Sequence, residues 1–194
     1  MTRVRRKAAV PRTAAPHTVS RPELLVHGSD AEFRNLVHDL LTFSYHMETC
    51  RDRFGAMVGL TGLQYEILMA VRRYQAEDGG ISVGQVAARL RRSGAFITIE
   101  TNKLVAKGIL EKLDDALDRR KVLLRVSLLG RDLGRLLAPV QQQVNDVLFE
   151  CLDRKGFERL RALASELVGC GDRATALIDY LASNPQAGAG SRAA

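Results

Sequence analysis

The 194-residue sequence predicts a mainly α-helical fold that contains one small β-hairpin. Apolar residues recur at helical spacing along most of the chain, and Ser/Thr-x-x-Glu/Gln patterns precede several of these stretches. One short segment after residue 109 instead alternates between apolar and polar residues, as a β-strand does. No apolar run approaches the roughly 18 residues that a membrane span needs, and no signal-peptide-like apolar region follows the basic N-terminus. We therefore expect a cytoplasmic protein without a membrane partner.

The two ends of the chain differ in composition from its middle. Residues 1–28 contain three prolines and no sustained apolar period, which predicts a disordered basic arm, and residues 184–194 predict a disordered tail. The net charge is +7, and residues 72–125 alone carry twelve bases against seven acids. This local excess favours a nucleic-acid partner, whereas a solvated basic face without a partner is the alternative.

Residues 29–57 predict a long amphipathic helix. Ser29 and Glu32 have the spacing of a capping box, and apolar residues follow at helical intervals. Thr61 and Gln64 repeat that spacing at the start of a second predicted helix. Its expected buried stripe is Leu63, Ile67, Leu68 and Val71.

The segment from Ser82 to Gly108 predicts two short helices joined by a tight turn. Ser82 and Gln85 form a third capping-box pattern, Ser93 can cap the second helix, and Gly108 can end it. Two short helices with a tight turn form a helix-turn-helix pattern, although any small helical hairpin has the same features.

A predicted β-hairpin follows this pair of helices directly. Residues 109–113 are a short apolar run suited to a strand, and residues 122–126 alternate as a returning strand would. A basic hairpin beside a helix-turn-helix is a wing, so we expect a winged helix-turn-helix DNA-binding region over residues 60–127.

Four consecutive charged residues lie at the predicted tip of the wing. Arg120 is the residue that we expect to enter the minor groove, where negative potential attracts arginine. Arg119 and Lys121 are expected to contact flanking phosphates, and Asp118 to hold a neighbouring guanidinium in place. A solvated charged turn is the alternative.

Four stretches resemble the MarR-type (multiple antibiotic resistance regulator) winged-helix transcriptional regulators: "LTGLQYEILMAV", "VGQVAARL", "KLVAKGIL" and "DRRKVLLRVSLLG". Asp118 and Arg120 match the Asp-x-Arg wing signature of that family, and Ser127 stands where the family usually has threonine. The resemblance implies a DNA-binding regulator, a two-fold dimer and a small-molecule effector that lowers DNA affinity. Phe96, Ile99 and Glu100 depart from the polar, basic and apolar residues that many members carry there.

The second helix of the pair is the expected recognition helix. By helical geometry, one of its faces turns away from the core, and the expected base-contacting residues on that face are Ala95, Thr98, Ile99 and Asn102. Asn102 could pair with adenine, and Ile99 could lie against a thymine methyl group. Burial of Phe96 and Ile99 against a neighbouring element is the alternative. Residues expected to contact phosphates are Ser93, Thr98 and Lys103.

Residues 128–183 predict a long helix followed by two shorter amphipathic helices. Together with residues 29–57 they have more apolar surface than the winged region can cover. The resemblance assigns both segments to a homodimer interface, and such a dimer would bind two half-sites of a pseudo-palindromic double-stranded operator.

The function that the resemblance implies is a repressor that a small ligand, such as an aromatic acid or an acyl-CoA-like compound, releases from DNA. The expected ligand-binding residues are His46, Arg51, Arg53, Tyr65 and Met69. A redox-sensing regulator that uses Cys50 and a winged-helix protein-interaction module are the alternatives. The three cysteines lack metal-ligand spacing, and there is no glycine-rich phosphate loop or nucleophile elbow, so we expect no enzyme, no metal and no cofactor.

Overall fold

The computed structural model describes residues 16–78, 80–114 and 122–186. The chain divides into two compact units, Met1–Leu137 and Ala138–Ala194. The elements, in chain order, are α1 (Ala31–Met57), α2 (Gly62–Asp78), β1 (Ile81–Ser82), α3 (Val83–Leu90), α4 (Gly94–Ala106), β2 (Leu110–Asp114), β3 (Val122–Val126), α5 (Leu128–Leu148) and α6 (Arg154–Ser183). The prediction of a mainly α-helical winged fold is confirmed.

Capping boxes start α2 and α3, as their sequences predict. At α2, the Thr61 hydroxyl accepts a hydrogen bond from the Gln64 backbone at 3.2 Å, and the Gln64 side chain accepts one from the Thr61 backbone at 3.4 Å. Ser82 and Gln85 make the same reciprocal pair at α3, at 3.2 Å and 2.9 Å. These bonds satisfy backbone amides that lack partners within a helix.

The capping box predicted for α1 is wrong. Asp30, not Ser29, occupies the N-cap position, and the Ser29 hydroxyl accepts a hydrogen bond from the Ala31 backbone at 3.2 Å. The Asp30 carboxylate is occupied elsewhere, because its Oδ2 accepts bonds from the backbone N and the Oγ1 of Thr18, both at 2.8 Å.

Part of the segment predicted as a disordered arm is ordered. Residues 16–28 include a short 3-10 helix, Pro22–Leu24, and an isolated bridge between Val26 and Ser29. The bonds from Thr18 to Asp30 tie this segment to the start of α1. Composition alone misses such an attachment because it depends on one buried carboxylate. The remainder of the predicted arm, residues 1–15, lies outside the described residues.

The core of the first unit is formed by α2 and the winged region. Its buried apolar members are Leu60, Ile67, Leu68, Val71, Ile81, Val86, Ala87, Ile97, Leu104, Ile109, Leu110, Leu124 and Val126. The predicted stripe of α2 lies in or against this core, with Leu63 only partly buried. This shared core holds α3 and α4 against α2 and thereby determines which face of α4 remains exposed.

The sheet has three strands rather than the two that the sequence predicts. β2 and β3 form the expected antiparallel hairpin, from Leu110 opposite Val126 to Asp114 opposite Val122. β1 pairs with the other edge of β3, which gives the order β1-β3-β2. β1 has only two residues, so it has no periodicity that a sequence pattern could reveal.

The exit from the wing is built around Ser127. Its buried hydroxyl lies 2.6 Å from the Gly108 carbonyl oxygen and 3.0 Å from that of Ile109, and it accepts a bond from the Gly130 backbone at 3.0 Å. A Cβ atom at Gly130 would lie 2.4 Å from the Ile109 carbonyl oxygen, so only glycine allows this close approach.

The C-terminal segment forms one long helix, and the prediction of two shorter helices after α5 is wrong. Asp153 caps α6 by accepting a hydrogen bond from the Gly156 backbone at 2.7 Å, and the helix continues through Gly169 and Gly171 to Ser183. An interior glycine costs a helix only about 1 kcal/mol, which is too little to end it. No residue of α6 is buried in the single chain.

Among the described residues, no single helix is long and apolar enough to cross a membrane. The bent pair Ala31–Met57 and Gly62–Gln75, whose axes differ by 90°, meets the length and composition criteria only when both helices are taken together.

Candidate nucleic-acid interface

The recognition helix α4 has one buried and one exposed face. Ile97, Thr101 and Leu104 are fully buried, whereas the four predicted base-contacting residues are all exposed. They are Ala95, Thr98, Ile99 and Asn102. Their spacing places them along the side of the helix opposite the core. Ile99 is 54% exposed and Phe96 is 45% exposed, so neither is buried in the way the alternative prediction required.

Two hydroxyl groups at the start of α4 already take part in its backbone structure. Ser93 caps the helix by accepting a hydrogen bond from the Phe96 backbone at 3.3 Å, and the Thr98 hydroxyl donates to the Gly94 carbonyl at 2.8 Å. The Ser93 hydroxyl still has a proton to donate outward, and the Thr98 oxygen can still accept one.

A buried carboxylate lies on the same helix. Glu100 accepts hydrogen bonds from Lys103 at 2.6 Å and from the Gln64 side chain at 2.9 Å. These two bonds, that of Lys103 first, hold the pKa of Glu100 below its ordinary value despite burial. Lys103, which the sequence suggests as a phosphate contact, is therefore already ion-paired.

Arginines of the α3–α4 turn were missed by the sequence analysis. Arg91 adopts a left-handed conformation with φ of 52°, and Arg92 follows it on the exposed surface. Arg89, at the end of α3, places its guanidinium 3.7 Å from the ring centroid of Tyr74. The signal that could have found them is the stretch "RLRRS", which places three arginines directly before the cap of α4.

The predicted wing tip does not belong to the described residues. Asp118, Arg119, Arg120 and Lys121 lie outside the described residues, whereas the strands on either side are paired as far as Asp114 and Val122. An ion pair of 2.8 Å between Glu111 and Arg125 joins the two strands across the hairpin.

A half-open cleft lies between α1, the start of α2 and the start of α4. It has a volume of about 330 Å³. Its lining residues are Glu48, Arg51, Asp52, Gly62, Leu63, Glu66, Arg92 and Phe96. Arg51 is bound to Glu66 at 2.5 Å and lies 3.8 Å from Glu48, so its charge is largely compensated within the cleft.

The structure does not bring the five predicted ligand-binding residues together, and only Arg51 lines the cleft. Tyr65 is buried with its ring 5.8 Å from that of Phe54, and Met69 packs against the core. His46 and Arg53 are exposed elsewhere on α1. Arg51 and Arg53 are two positions apart, which places them on nearly opposite sides of a helix. Spacing of three and four residues would have grouped Glu48, Arg51 and Asp52 instead.

The cysteines and possible metal ligands form no built site among the residues that can be described. Cys50 is half-buried, while Cys151 and Cys170 are exposed and all three are free. Within that part of the chain, no group of three or more histidine, cysteine, aspartate or glutamate side chains is arranged to hold a metal ion.

Comparison with known proteins gives a consistent result for the winged region. Residues 58–121 match a family model described as the MarR family, and no curated protein sequence matches the chain. A solved MarR protein from Peptoclostridium difficile is 17% identical, with a TM-score of 0.60, over 77% of this chain and 94% of that one.

Two further solved structures contain DNA. The S. aureus MepR–DNA complex is 18% identical, with a TM-score of 0.59, over 70% of this chain and 96% of that chain. A cysteine-to-serine mutant of E. coli MarR complexed with operator DNA is 19% identical, with a TM-score of 0.58, over 70% and 95%. At these identities the solved structures establish the fold of the chain, and the family model adds that residues 58–121 are similar to the MarR family. The chain therefore has a winged helix-turn-helix fold, and its matched segment resembles the MarR family, as the sequence implies.

Proposed function

We propose that the chain is a cytoplasmic, homodimeric, sequence-specific DNA-binding repressor that a small molecule releases from its operator. The observation that carries this proposal is the exposed face of α4, on which Ala95, Thr98, Ile99 and Asn102 lie together opposite a buried face. A recognition helix needs such a face to enter the major groove while its other side stays in the core. The fold shared with the MepR–DNA and MarR–operator complexes supports the same function.

The predicted contact residues of α4 and of its cap have different proposed roles. Asn102 can pair through two hydrogen bonds with adenine, and Ala95 and Ile99 can contact thymine methyl groups. Ser93 and Thr98 lie near the start of the helix, where their free hydrogen-bonding capacity suits phosphate oxygens. At the wing tip, Arg120 is proposed to enter the adjacent minor groove, Arg119 and Lys121 to contact flanking phosphates, and Asp118 to hold a neighbouring guanidinium in place.

Exposed apolar residues on the outer helices support a homodimer. On α1 they are Leu36, Val37, Leu40, Leu41, Tyr45 and Met47. On α6 they are Phe157, Leu160, Leu163, Leu167, Val168, Leu177, Ile178 and Tyr180. Exposed apolar residues repeated along one helix are typical of interaction surfaces, and a two-fold dimer would match a pseudo-palindromic operator.

The cleft beside α4 is the proposed effector site. Its volume of about 330 Å³ lies at the lower end of ligand pockets, which favours a single-ring aromatic compound over a complete CoA thioester. Phe96 offers a ring surface and Arg92 a cation for a carboxylate. Because both residues belong to α4 or to the turn before it, a ligand bound there could change how α4 meets DNA.

The base contact of Asn102 provides a test of the proposed function. Asn102→Ala should weaken binding to the operator by about 1–3 kcal/mol, with little change for a scrambled duplex. Fluorescence anisotropy with the full chain measures both affinities. Asn145→Ala, which removes an exposed asparagine of α5, is the matched control. Equal operator affinities for the two variants would contradict the assignment of α4 as the base-contacting helix.

A further inference from the structure

We propose that Glu100 is a specificity-determining positioning residue, which holds Lys103 in an ion pair on the recognition helix and so limits sequence-independent binding of phosphates by α4. This inference rests on the proposed DNA-binding function. A carboxylate is an unexpected residue on a helix that approaches a polyanion, because negative charge near phosphates weakens binding.

The two side chains of the ion pair differ in their exposure to solvent. The Glu100 side chain is 9% exposed, whereas that of Lys103 is 55% exposed. The ammonium group of Lys103 lies 2.6 Å from Glu100 Oε1, and Lys103 follows the exposed Asn102 in the chain. The carboxylate therefore remains on the core side, and the lysine reaches back toward it from the surface on which DNA would lie.

The second oxygen of Glu100 is anchored to α2. Glu100 Oε2 accepts a hydrogen bond from Gln64 Nε2 at 2.9 Å. Gln64 Oε1 in turn accepts from Lys107 at 3.3 Å, and the Lys107 ammonium also donates to the Gly59 carbonyl at 3.0 Å. Since Gln64 also belongs to the capping box of α2, this network holds the carboxylate in place from several sides.

Separating Lys103 from the buried Glu100 carboxylate costs free energy that the separation of an exposed ion pair would not cost. If Lys103 turned to a phosphate, Glu100 would remain buried and charged with one hydrogen bond fewer. If Glu100 followed the lysine into solvent, it would also lose its hydrogen bond from Gln64. In the wild-type protein, Lys103 should therefore contribute little to the release of counterions from DNA.

The salt dependence of DNA binding measures this contribution directly. Each phosphate neutralised on duplex DNA changes the slope of log K against log salt by about 0.9. Glu100→Gln should make the slope for a scrambled duplex steeper by about one phosphate contact, raise its affinity several-fold at low salt and lower the ratio of operator to scrambled binding. Lys103→Ala should leave the wild-type slope nearly unchanged but should remove the added slope when combined with Glu100→Gln.

Two control variants separate charge from structure. Glu100→Asp keeps the carboxylate and should keep the wild-type slope, even if its shorter side chain lowers thermal stability. Asp132→Asn removes the acid of an exposed ion pair with the same three-residue spacing, in which Arg135 lies 2.6 Å from Asp132 on α5, and should not change the slope.

The possible results distinguish a failure of the proposed role of Glu100 from a failure of the proposed DNA-binding function. If the wild type prefers its operator but Glu100→Gln leaves the slope unchanged, the role of Glu100 is wrong and the DNA-binding function stands. A loss of about one phosphate contact in the single Lys103→Ala variant would also overturn the inference, and this variant leaves Glu100 and Gln64 intact. If the wild type binds operator and scrambled duplexes equally, the proposed function and the inference both fail.

Discussion

At the scale of single residues, the carboxylate of Asp30 joins two segments at the start of α1. It is buried, bonded by two groups of Thr18 and paired with Arg34. These donors, the Thr18 backbone amide first, lower the pKa of Asp30 to about 2. The ordered part of the N-terminal segment therefore depends on an ionised side chain rather than on an apolar core.

We predict that Asp30→Asn lowers the thermal unfolding temperature at neutral pH, since the neutral amide loses the Arg34 ion pair. The folded pKa lies below the ordinary value of 3.8, so the stabilisation is complete above that value and is lost as the pH falls toward about 2. Circular dichroism melts across this range should show the difference from wild type shrinking with acid. Asp39→Asn, an exposed acid on α1, is the control, and a difference that does not depend on pH would contradict the assignment.

Whether the burial and contacts of a single residue could be predicted depended on whether its spacing along the sequence determines them. Helical periodicity was enough to place Asn102 on the exposed face of α4. The burial of Glu100 could not be predicted, because a charged residue is rarely buried unless paired, and one of its partners, Gln64, comes from a distant part of the chain. The predicted ligand-binding residues are not grouped together for a related reason, since the cleft is assembled from three separate elements.

At the scale of elements, features that depend on hydrogen bonds between residues a few positions apart could be predicted from the sequence. Features that depend on tertiary contacts could not. The caps at Thr61, Ser82 and Ser93 are bonds across three positions, and all three patterns are confirmed. β1 exists only because β3 lies beside it, and its two residues carry no pattern of their own. The break predicted within α6 is absent because glycine lowers helix stability without ending a helix.

The junction between β3 and α5 yields a prediction for one element. Ser127→Ala should lower the free energy of unfolding by about 1–3 kcal/mol, because the Gly130 amide loses its acceptor and the Gly108 carbonyl loses the hydroxyl donor that lies nearest to it. Urea unfolding measures this difference. Ser183→Ala removes an exposed hydroxyl that donates to the Asp179 carbonyl and should cost less than about 0.5 kcal/mol. Equal effects of the two changes would show that Ser127 does not support the junction.

At the scale of the whole molecule, the exposed apolar residues of α6 need an explanation, because no other described part of the single chain buries them. No residue of this 30-residue helix is buried, although many of its side chains are apolar. Burial of such residues is worth roughly 1.5–3 kcal/mol each, so a second copy would gain substantially by covering them. The physical cost of this exposure therefore supports the proposed homodimer.

We predict that Leu163→Glu weakens self-association by about tenfold or more, because the change occurs twice in a two-fold dimer and about 1.4 kcal/mol corresponds to tenfold. Sedimentation equilibrium over a range of concentrations measures the dissociation constant. Arg161→Glu introduces the same side chain at an exposed polar position of α6 and is the control. A wild-type chain that remains monomeric at every concentration would contradict the proposed dimer.

Fluorescence anisotropy of the full chain would measure whether the protein binds DNA in a sequence-specific way. The DNA upstream of its own gene would be compared with a scrambled duplex of the same composition at two salt concentrations. We predict an affinity for the upstream DNA about a thousandfold or more above that for the scrambled duplex at physiological salt. Equal, salt-sensitive binding to both duplexes would contradict the account, because it would leave a basic protein whose recognition helix does not distinguish sequence.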